Sequence, residues 1–292
     1  MSTIYIWWNN LSKRVKTSFA FATAFLAIVS TLLSIMGLSF EDVMGSNIWI
    51  RVGFVVGMYF IPWILCYMVI GLIYSNSITI DINTTKVTLK CGDIFKEDAF
   101  RVIPCDSTFS TQVDDVVISK RSLHGQFVLS HSDKDKVKEA VKKGADHLLK
   151  TQGITLDKGI NDQDKFPLGS IVLYKSDVDD KTYLMLAMTE LNKDYEAHTN
   201  LTQFESMLFR MWKEIDRVYA GHEVVLPLLG SGISRFDDGN KDKVNLLRCM
   251  LCTLKNSSVT LNTNVSILIA KDKNEDMPLY EFKDIFRSIP RK

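Results

Sequence analysis

The sequence predicts an α/β domain of three layers around a mixed sheet, preceded by a two-helix transmembrane hairpin. Three features predict it. Residues 1–75 hold two long uncharged apolar runs, and residues 76–292 alternate short β-rich runs with amphipathic helical patterns, as expected of a sheet covered on both faces. Two loops that pair glycine with serine follow strand-like runs, where such sheets bind ligands. A chain of 292 residues has room for one sizeable domain plus an appendage. Its net charge of +1 lacks the basic excess of a nucleic-acid binder.

Residues 17–38 contain no charged side chain and are dense in Phe, Leu, Ile and Val, a run long enough to cross a bilayer as a helix. Residues 52–74 are uncharged as well. As a helix they would extend roughly 34 Å against a hydrocarbon core of about 30 Å, and so cross with some tilt. Lys13, Arg14 and Lys16 precede the first run as the basic region of a signal peptide would, but the run is too long and no small-residue cleavage site follows. Two soluble core helices are the other alternative, and such helices seldom stay apolar on every face over this length. Residues 39–50 carry Glu41 and Asp42 but no Lys or Arg, so the positive-inside bias places both termini in the cytosol. Trp7, Trp8 and Trp49 suit headgroup anchoring, and Gly53 and Gly57 form a G-x-x-x-G, a weak sign of helix contact.

Beyond residue 74, residues 77–82 and 86–91 alternate on either side of a turn at Asn83 and Thr84, predicting a hairpin. Residues 99–103 form another strand, ended by Pro104. Ser132 and Asp135 give an S-x-x-D capping box ahead of Val137, Ala140, Val141, Ala145, Leu148 and Leu149, one face of a helix whose lysine-rich opposite face is read as solvated. Strands are predicted over 169–174 and 182–188. The clearest helix follows, with Phe204, Leu208, Met211, Trp212, Ile215, Val218 and Tyr219 on one stripe, Asn200 capping it, Gln203 reaching back and Gly221 ending it. A strand over 223–228, a helix over 241–255, a strand over 265–270 and a terminal helix over 279–289 complete the pattern.

The five cysteines form no disulfide framework and suggest a reducing compartment. Cys249 and Cys252 make a C-x-x-C, but inside a helical pattern and with no second pair, so they read as buried cysteines rather than a metal or redox site. The segment after the strand over 224–228 reads Leu229-Gly230-Ser231-Gly232-Ile233-Ser234-Arg235-Phe236. Its glycines allow close backbone approach, so successive amides can converge on an anion, with Ser231 and Ser234 adding hydroxyls. A lone G-S-G is also a common tight turn, and this one is neither a P-loop nor a dinucleotide G-x-G-x-x-G. A second candidate, Arg121-Ser122-Leu123-His124-Gly125-Gln126-Phe127, follows the short apolar run 116–119. Together the loops could hold the two phosphates of a pyrophosphate.

At Gly92-Asp93-Ile94, Ile103-Pro104 with Phe109, Ser122-Leu123-His124-Gly125 and Pro227-Leu228-Leu229-Gly230-Ser231-Gly232-Ile233, the chain resembles the macro domain family. With its two spans it more closely resembles the transmembrane macro-domain effectors of type II Thoeris anti-phage systems. The resemblance implies a macro-like fold that binds an ADP-ribose derivative, with no cofactor or metal. It implies that Asp93 accepts from the adenine amine beside the Ile94 amide, that residues 122–125 and 230–234 flank the pyrophosphate, and that Phe236 packs on the distal ribose. A turn or cap aspartate is the alternative for Asp93. Hydrolytic macro domains commonly carry asparagine where this chain has Cys105-Asp106, and a glycine run in the first loop, so binding without catalysis is the expectation. Asp106 and His124 are the candidates for a hydrolytic role, and His124 reads better as a ligand hydrogen-bonding residue than as a general base. The expected partners are a TIR-domain enzyme that makes the signal from NAD, membrane lipids of a bacterial inner membrane, and further copies of the chain. A membrane-tethered ADP-ribosyl hydrolase is the alternative.

Overall fold

The structure is a computed structural model that describes residues 13–37, 47–73, 77–159, 162–192, 194–232, 235–236, 242–269, 279–282 and 285. The chain divides into two compact units, residues 1–76 with 276–283, and residues 77–275 with 284–292.

In the first unit, α1 (Lys13–Ile35) and α2 (Ile48–Ile73) pack against each other. Phe19 lies between Tyr59 and Trp63, with ring centroids 6.1 and 5.0 Å away. Over Val15–Ile35 and Ile48–Ile70 both helices reach a mean hydropathy of 2.0 with few residues buried, so they are long and apolar enough to cross a membrane. A core helix of similar composition would bury most of its surface. Gly53 and Gly57 meet no atom of α1: nothing approaches a Cβ placed on Gly53, and one placed on Gly57 meets its own helix at Ile61, 3.9 Å away. The G-x-x-x-G therefore does not pack this hairpin. Leu279–Phe282, in this unit, is a 3-10 turn; the rest of the terminal helix expected over 279–289 lies outside the described residues except Ile285.

The second unit is a nine-stranded mixed sheet with strand order β1-β2-β11-β9-β3-β7-β8-β10 and β6 paired to β7. The hairpin β1 (Ser77–Ile82) and β2 (Thr85–Cys91) is antiparallel, as its alternation predicts. From β2 onward, β11 (Asn264–Ile269), β9 (Val224–Pro227), β3 (Phe100–Asp106) and β7 (Thr182–Leu191) run parallel, and β6 (Ile171–Lys175) returns antiparallel on β7. The parallel strands are nearly continuous apolar runs because both faces are covered. On one face α3 (Leu123–Ser130) and α4 (Lys134–Gln152) bury Phe127, Val128, Val137 and Leu148 against Ile103, Val172, Tyr183 and Met185. Leu184 and Leu186 point the other way along β7 and are fully buried beneath α5 (Leu201–Val218), which packs on α6 (Lys243–Asn256). Trp212 of α5, itself fully buried, donates its indole N–H to Thr253 of α6 at 3.1 Å, joining the two helices. Three small pairings have no counterpart in the sequence reading: β4 (Asp157–Lys158) with β5 (Asp164–Lys165), β8 (Ala197–Thr199) with β7, and β8 with β10 (Arg235–Phe236).

The capping box at Asn200 and Gln203 is present in full, and Gly221 follows α5 at φ 80°. The box expected at Ser132 is not. Asp133 caps α4, accepting from the amides of Asp135 and Lys136, while the Ser132 hydroxyl donates back to the Val128 carbonyl of α3. A carboxylate at the N-cap is charged and sits on the positive helix end, which favours it over the adjacent hydroxyl. Cys249 faces Glu205, and burial together with that carboxylate pushes its thiol up to about 11. Cys249 and Cys252 are half-buried rather than buried as the sequence reading has them.

Candidate functional site

Chain direction locates the site before any side chain is considered. The chain leaving β3 rejoins the parallel strands at β7 on one side, and the chain leaving the adjacent β9, after the short β10 paired to β8, rejoins them at β11 on the other. Adjacent parallel strands whose connections depart in opposite directions open a crevice at their carboxyl ends. A cavity of roughly 790 Å³ lies there, within the range usual for small-molecule sites. Its floor is formed by Pro104, Cys105 and Asp106 of β3, Met188 and Thr189 of β7, Pro227 of β9 and the end of β11, and its walls by residues 115–119, 121–124, 194–197 and 228–232. Both predicted glycine-serine loops reach it.

The first loop is half helix. Ser122 is the N-cap of α3: its hydroxyl accepts from the Gly125 amide at 2.9 Å and donates to the Ser119 carbonyl at 2.7 Å. That hydroxyl is spent on the local fold, so the donors this end offers a ligand are the first-turn amides of Leu123 and His124, which have no intrahelical acceptor by construction. A Cβ on Gly125 would stand 2.2 Å from the Ser119 carbonyl oxygen. The missing side chain is what lets residues 119–120 press against the helix start.

The second loop turns at Gly230, φ 79°, where the Ser231 amide and hydroxyl both donate to the Leu228 carbonyl, at 3.3 and 2.6 Å. Leu228 and Leu229 are buried and seat the turn on the sheet. Gly232 is exposed, and among the described residues nothing lies within 4 Å of where its Cβ would be. Ile233 and Ser234 lie outside the described residues. Phe236 is placed by its backbone, paired with Thr199 across β8 and β10; its side chain is not among those described.

Asp106 and His124 meet at the cavity floor. One Asp106 oxygen accepts from the Thr108 amide at 2.8 Å and from the Thr108 hydroxyl; the other accepts from the Ser110 amide at 3.3 Å and lies 3.7 Å from His124 Nδ1. Both side chains are buried. Desolvation holds the His124 pKa below its ordinary value, with Asp106 and the Ser110 carbonyl opposing the shift. His124 Nε2 is buried with no hydrogen-bond partner. Burial pushes the neighbouring Cys105 thiol well up, so it is no nucleophile.

Four of the predicted contacts, Asp93, Ile94, Phe109 and Gly125, are not among the residues that line the cavity. Phe109 is buried at φ 51° and packs edge-on against Phe166, ring centroids 4.9 Å apart. The turn that Asp106 ties down drives this ring into the core. Asp93 caps a 3-10 turn at Ile94–Lys96, accepting from the Phe95 amide at 3.1 Å, and Ile94 is a core residue. The cap role weighed as the alternative for Asp93 is the one seen. It still stands close to the crevice, because the Gly92 amide donates to the carbonyl of Ile269, a wall residue. Conversely, Asp194, Tyr195, Glu196 and Lys243 line the cavity without having been singled out, together with Arg121 of the second candidate loop. No motif marks the 194–196 segment, which is shaped by Asn192 accepting from the amides of Asp194 and Glu196. Among the described residues, no group of three or more His, Cys, Asp or Glu is placed to hold a metal ion.

The family described as Thoeris protein ThsA, Macro domain, matches residues 87–270. A relative, the Thoeris protein ThsA of Bacillus amyloliquefaciens (strain Y2), is 31% identical over 229 residues, covering 76% of this chain and 74% of its own. Among solved structures, the Oceanobacillus iheyensis macrodomain with ADP covers 72% of this chain and 95% of its own at 10% identity and a TM-score of 0.45. The Trypanosoma brucei macrodomain in complex with ADP-ribose covers 70% of this chain and 69% of its own at 8% identity and a TM-score of 0.40. On the strength of the family match and the 31% identical relative, this chain belongs to the Thoeris ThsA macro-domain family.

Proposed function

We propose that this protein is a membrane-anchored receptor whose macro domain binds an ADP-ribose-derived signal in anti-phage defence. A TIR-domain enzyme makes the signal from NAD, and the bound protein assembles into larger species that disrupt the cell membrane. The observation that carries the reading is the crevice between β3 and β9, where a helix N-terminus and a glycine turn face one cavity of a size to hold such a nucleotide. Asp93 belongs to the adenine end, residues 122–125 and 229–234 to the pyrophosphate, and Asp106, His124 and Phe236 to the distal end. Membership of the Thoeris family supports the defence role, and the two apolar helices support the membrane anchor with both termini in the cytosol. For the ligand to act as a switch it must bind the assembled state more tightly than the resting one.

A second reading, hydrolysis at the distal ribose, is favoured by one observation, the unpartnered His124 Nε2 backed by Asp106. One experiment separates the two. Full-length protein in detergent is incubated with ADP-ribose and, separately, with the product of a TIR enzyme acting on NAD. The receptor reading expects stoichiometric binding, recovery of intact ligand and a rise in mass by light scattering. Repeated turnover without a change in mass would replace it with the hydrolase.

A further inference from the structure

A second cavity, of roughly 440 Å³, shares no lining residue with the crevice. It is a groove along β6. Residues 170–175 form its floor, Glu139, Lys143 and His147 of α4 stand on one side, and Glu214, Arg217 and Val218 of α5 on the other. Among the described residues β6 pairs with β7 alone, so its other edge is free. The Ser176 amide donates to the Lys181 carbonyl at 2.9 Å, and the Ala187 amide to the Ser170 carbonyl at 3.0 Å. Bonds to β7 therefore fall at the even-numbered positions. An antiparallel ladder turns the N–H and C=O groups of the alternate residues, Ile171, Leu173 and Lys175, toward the free edge.

Nothing in β6 blunts that edge. Its Ile-Val-Leu-Tyr run holds no proline, its register on β7 has no bulge, and its one charge, Lys175, stands at the end and pairs with Asp180 at 3.1 Å. Edge strands in water usually carry such protection, because unpaired N–H and C=O groups template a further strand. At the centre of the edge Leu173 is 46% exposed, while Val172 and Tyr174 on either side are buried.

We infer that this edge is where two copies of the chain meet, β6 pairing antiparallel with β6 about a two-fold axis through Leu173. The inference rests on the assembly step of the proposed function and names a surface for it. The edge requires a strand, and two features select a second copy. The register is self-consistent: Ile171 stands against Lys175 of the copy, Leu173 against Leu173 and Lys175 against Ile171, so outward-facing groups meet over all five residues. The exposed leucine is then covered by its own counterpart. The charges are self-complementary as well. A Cβ on Gly144 would stand 2.9 Å from Val172, and Lys136 pairs with Asp177 beyond the strand, so α4 runs antiparallel to β6 and the stretch from Glu139 to Lys143 stands beside Leu173. The two-fold reverses α4 and brings Glu139 of each copy toward Lys143 of the other. Within one chain these two pair at 2.7 Å while largely exposed, so exchanging partners costs little. A two-fold contact joins copies in pairs and supplies one of the contacts a larger species needs.

The test uses the full-length chain in detergent, with and without the product of a TIR enzyme acting on NAD. Leu173→Cys places a thiol on the axis, where facing Cα atoms about 5.5 Å apart are within disulfide reach. Under mild oxidant it should give a covalent dimer well above wild type, whose native cysteines set the background, and above Leu149→Cys, a control exposed on α4 but off the groove. Leu173→Pro removes an N–H that the copy needs and β7 does not use, so it should keep nucleotide affinity and lose the ligand-induced rise in mass. A rise in Leu173→Pro equal to wild type, or equal cross-linking of Leu173→Cys and Leu149→Cys, overturns the β6 contact and leaves the receptor reading standing. Recovery of Leu173→Cys from cells as an adduct with a different protein, in place of the homodimer, also overturns it and gives the edge to that partner. Wild type that binds nucleotide without a rise in mass overturns the proposed assembly and this inference with it.

Discussion

Gly232→Glu tests whether the second loop cradles phosphate, and the local geometry makes it a clean perturbation. Gly232 is exposed, its φ lies outside the left-handed region, and among the described residues no atom stands within 4 Å of its Cβ position, so a side chain adds neither clash nor backbone strain. What it adds is a carboxylate beside a ligand with two phosphate charges. At about 6 Å, one pair of unit charges interacts by roughly 0.7 kcal/mol in a water-like dielectric and roughly 2.8 kcal/mol at an effective dielectric of 20. For a half-open site and two phosphate charges, about 1.5 to 3 kcal/mol of repulsion is expected, a loss of roughly ten- to 150-fold in affinity. Calorimetry with ADP-ribose at low salt reads this directly, because screening would shrink it. Gly232→Gln supplies the neutral side chain of the same length and should bind within about two-fold of wild type. Equal affinity for Gly232→Glu and wild type would remove the loop from the phosphate site. An equal loss in Gln and Glu would show that bulk, not charge, is what the position excludes.

Three further outcomes are expected. Gly125→Ala forces a Cβ to within 2.2 Å of the Ser119 carbonyl, so residues 119–120 must move; denaturant unfolding should show a loss of about 1 to 3 kcal/mol, and a stability equal to wild type would refute the tight approach. Asp106→Ala strips the acceptor from the half-buried Thr108 and buried Ser110 amides and the partner from His124; about 2 to 4 kcal/mol of stability should go with it, and a variant as stable as wild type would show that solvent replaces the carboxylate. A cysteine introduced as Ser46→Cys should react with a membrane-impermeant maleimide from outside intact cells, and labelling from the cytosol alone would reverse the proposed topology.

What the sequence disclosed divides along physical lines. The apolar runs, the parallel strands and the α5 stripe were legible because burial on every face, or on one face at helical spacing, writes itself into composition over many residues. The Asn200 box was legible because both of its halves are reciprocal and local. Ser132 misled because an adjacent Asp133 satisfied the same amides with a charge, a contest that pattern alone does not decide. Phe109 and Asp93 stand off the cavity wall for a different reason. The direction of a side chain is set by the turn that carries it: Phe109 by the Asp106 carboxylate on the Thr108 and Ser110 amides, Asp93 by the cap it makes. Tyr195 and Glu196 were invisible because their wall comes from a loop between β7 and β8 that has no periodicity at all.

The site itself could not be assembled from sequence, since β9 lies between β11 and β3 and so brings Gly230 beside Asp106 across more than a hundred residues of intervening chain. Once it is assembled, its hydrogen bonding divides in an unexpected way. The hydroxyls that looked like phosphate ligands, Ser122 and Ser231, are committed to capping α3 and closing the Leu228 turn. For the proposed phosphate contacts this leaves backbone amides, which no substitution deletes, the glycines that let those amides face the cavity, and the cationic Arg121 and Lys243 of its lining. It follows that changing the serines to alanine would act through stability first, about 1 kcal/mol for the lost cap at Ser122, whereas changing Gly232 would act through the ligand alone. Under the proposed function, a site of this construction meets the ligand's charge with fixed dipoles, to which the cavity-lining Arg121 and Lys243 add positive charge.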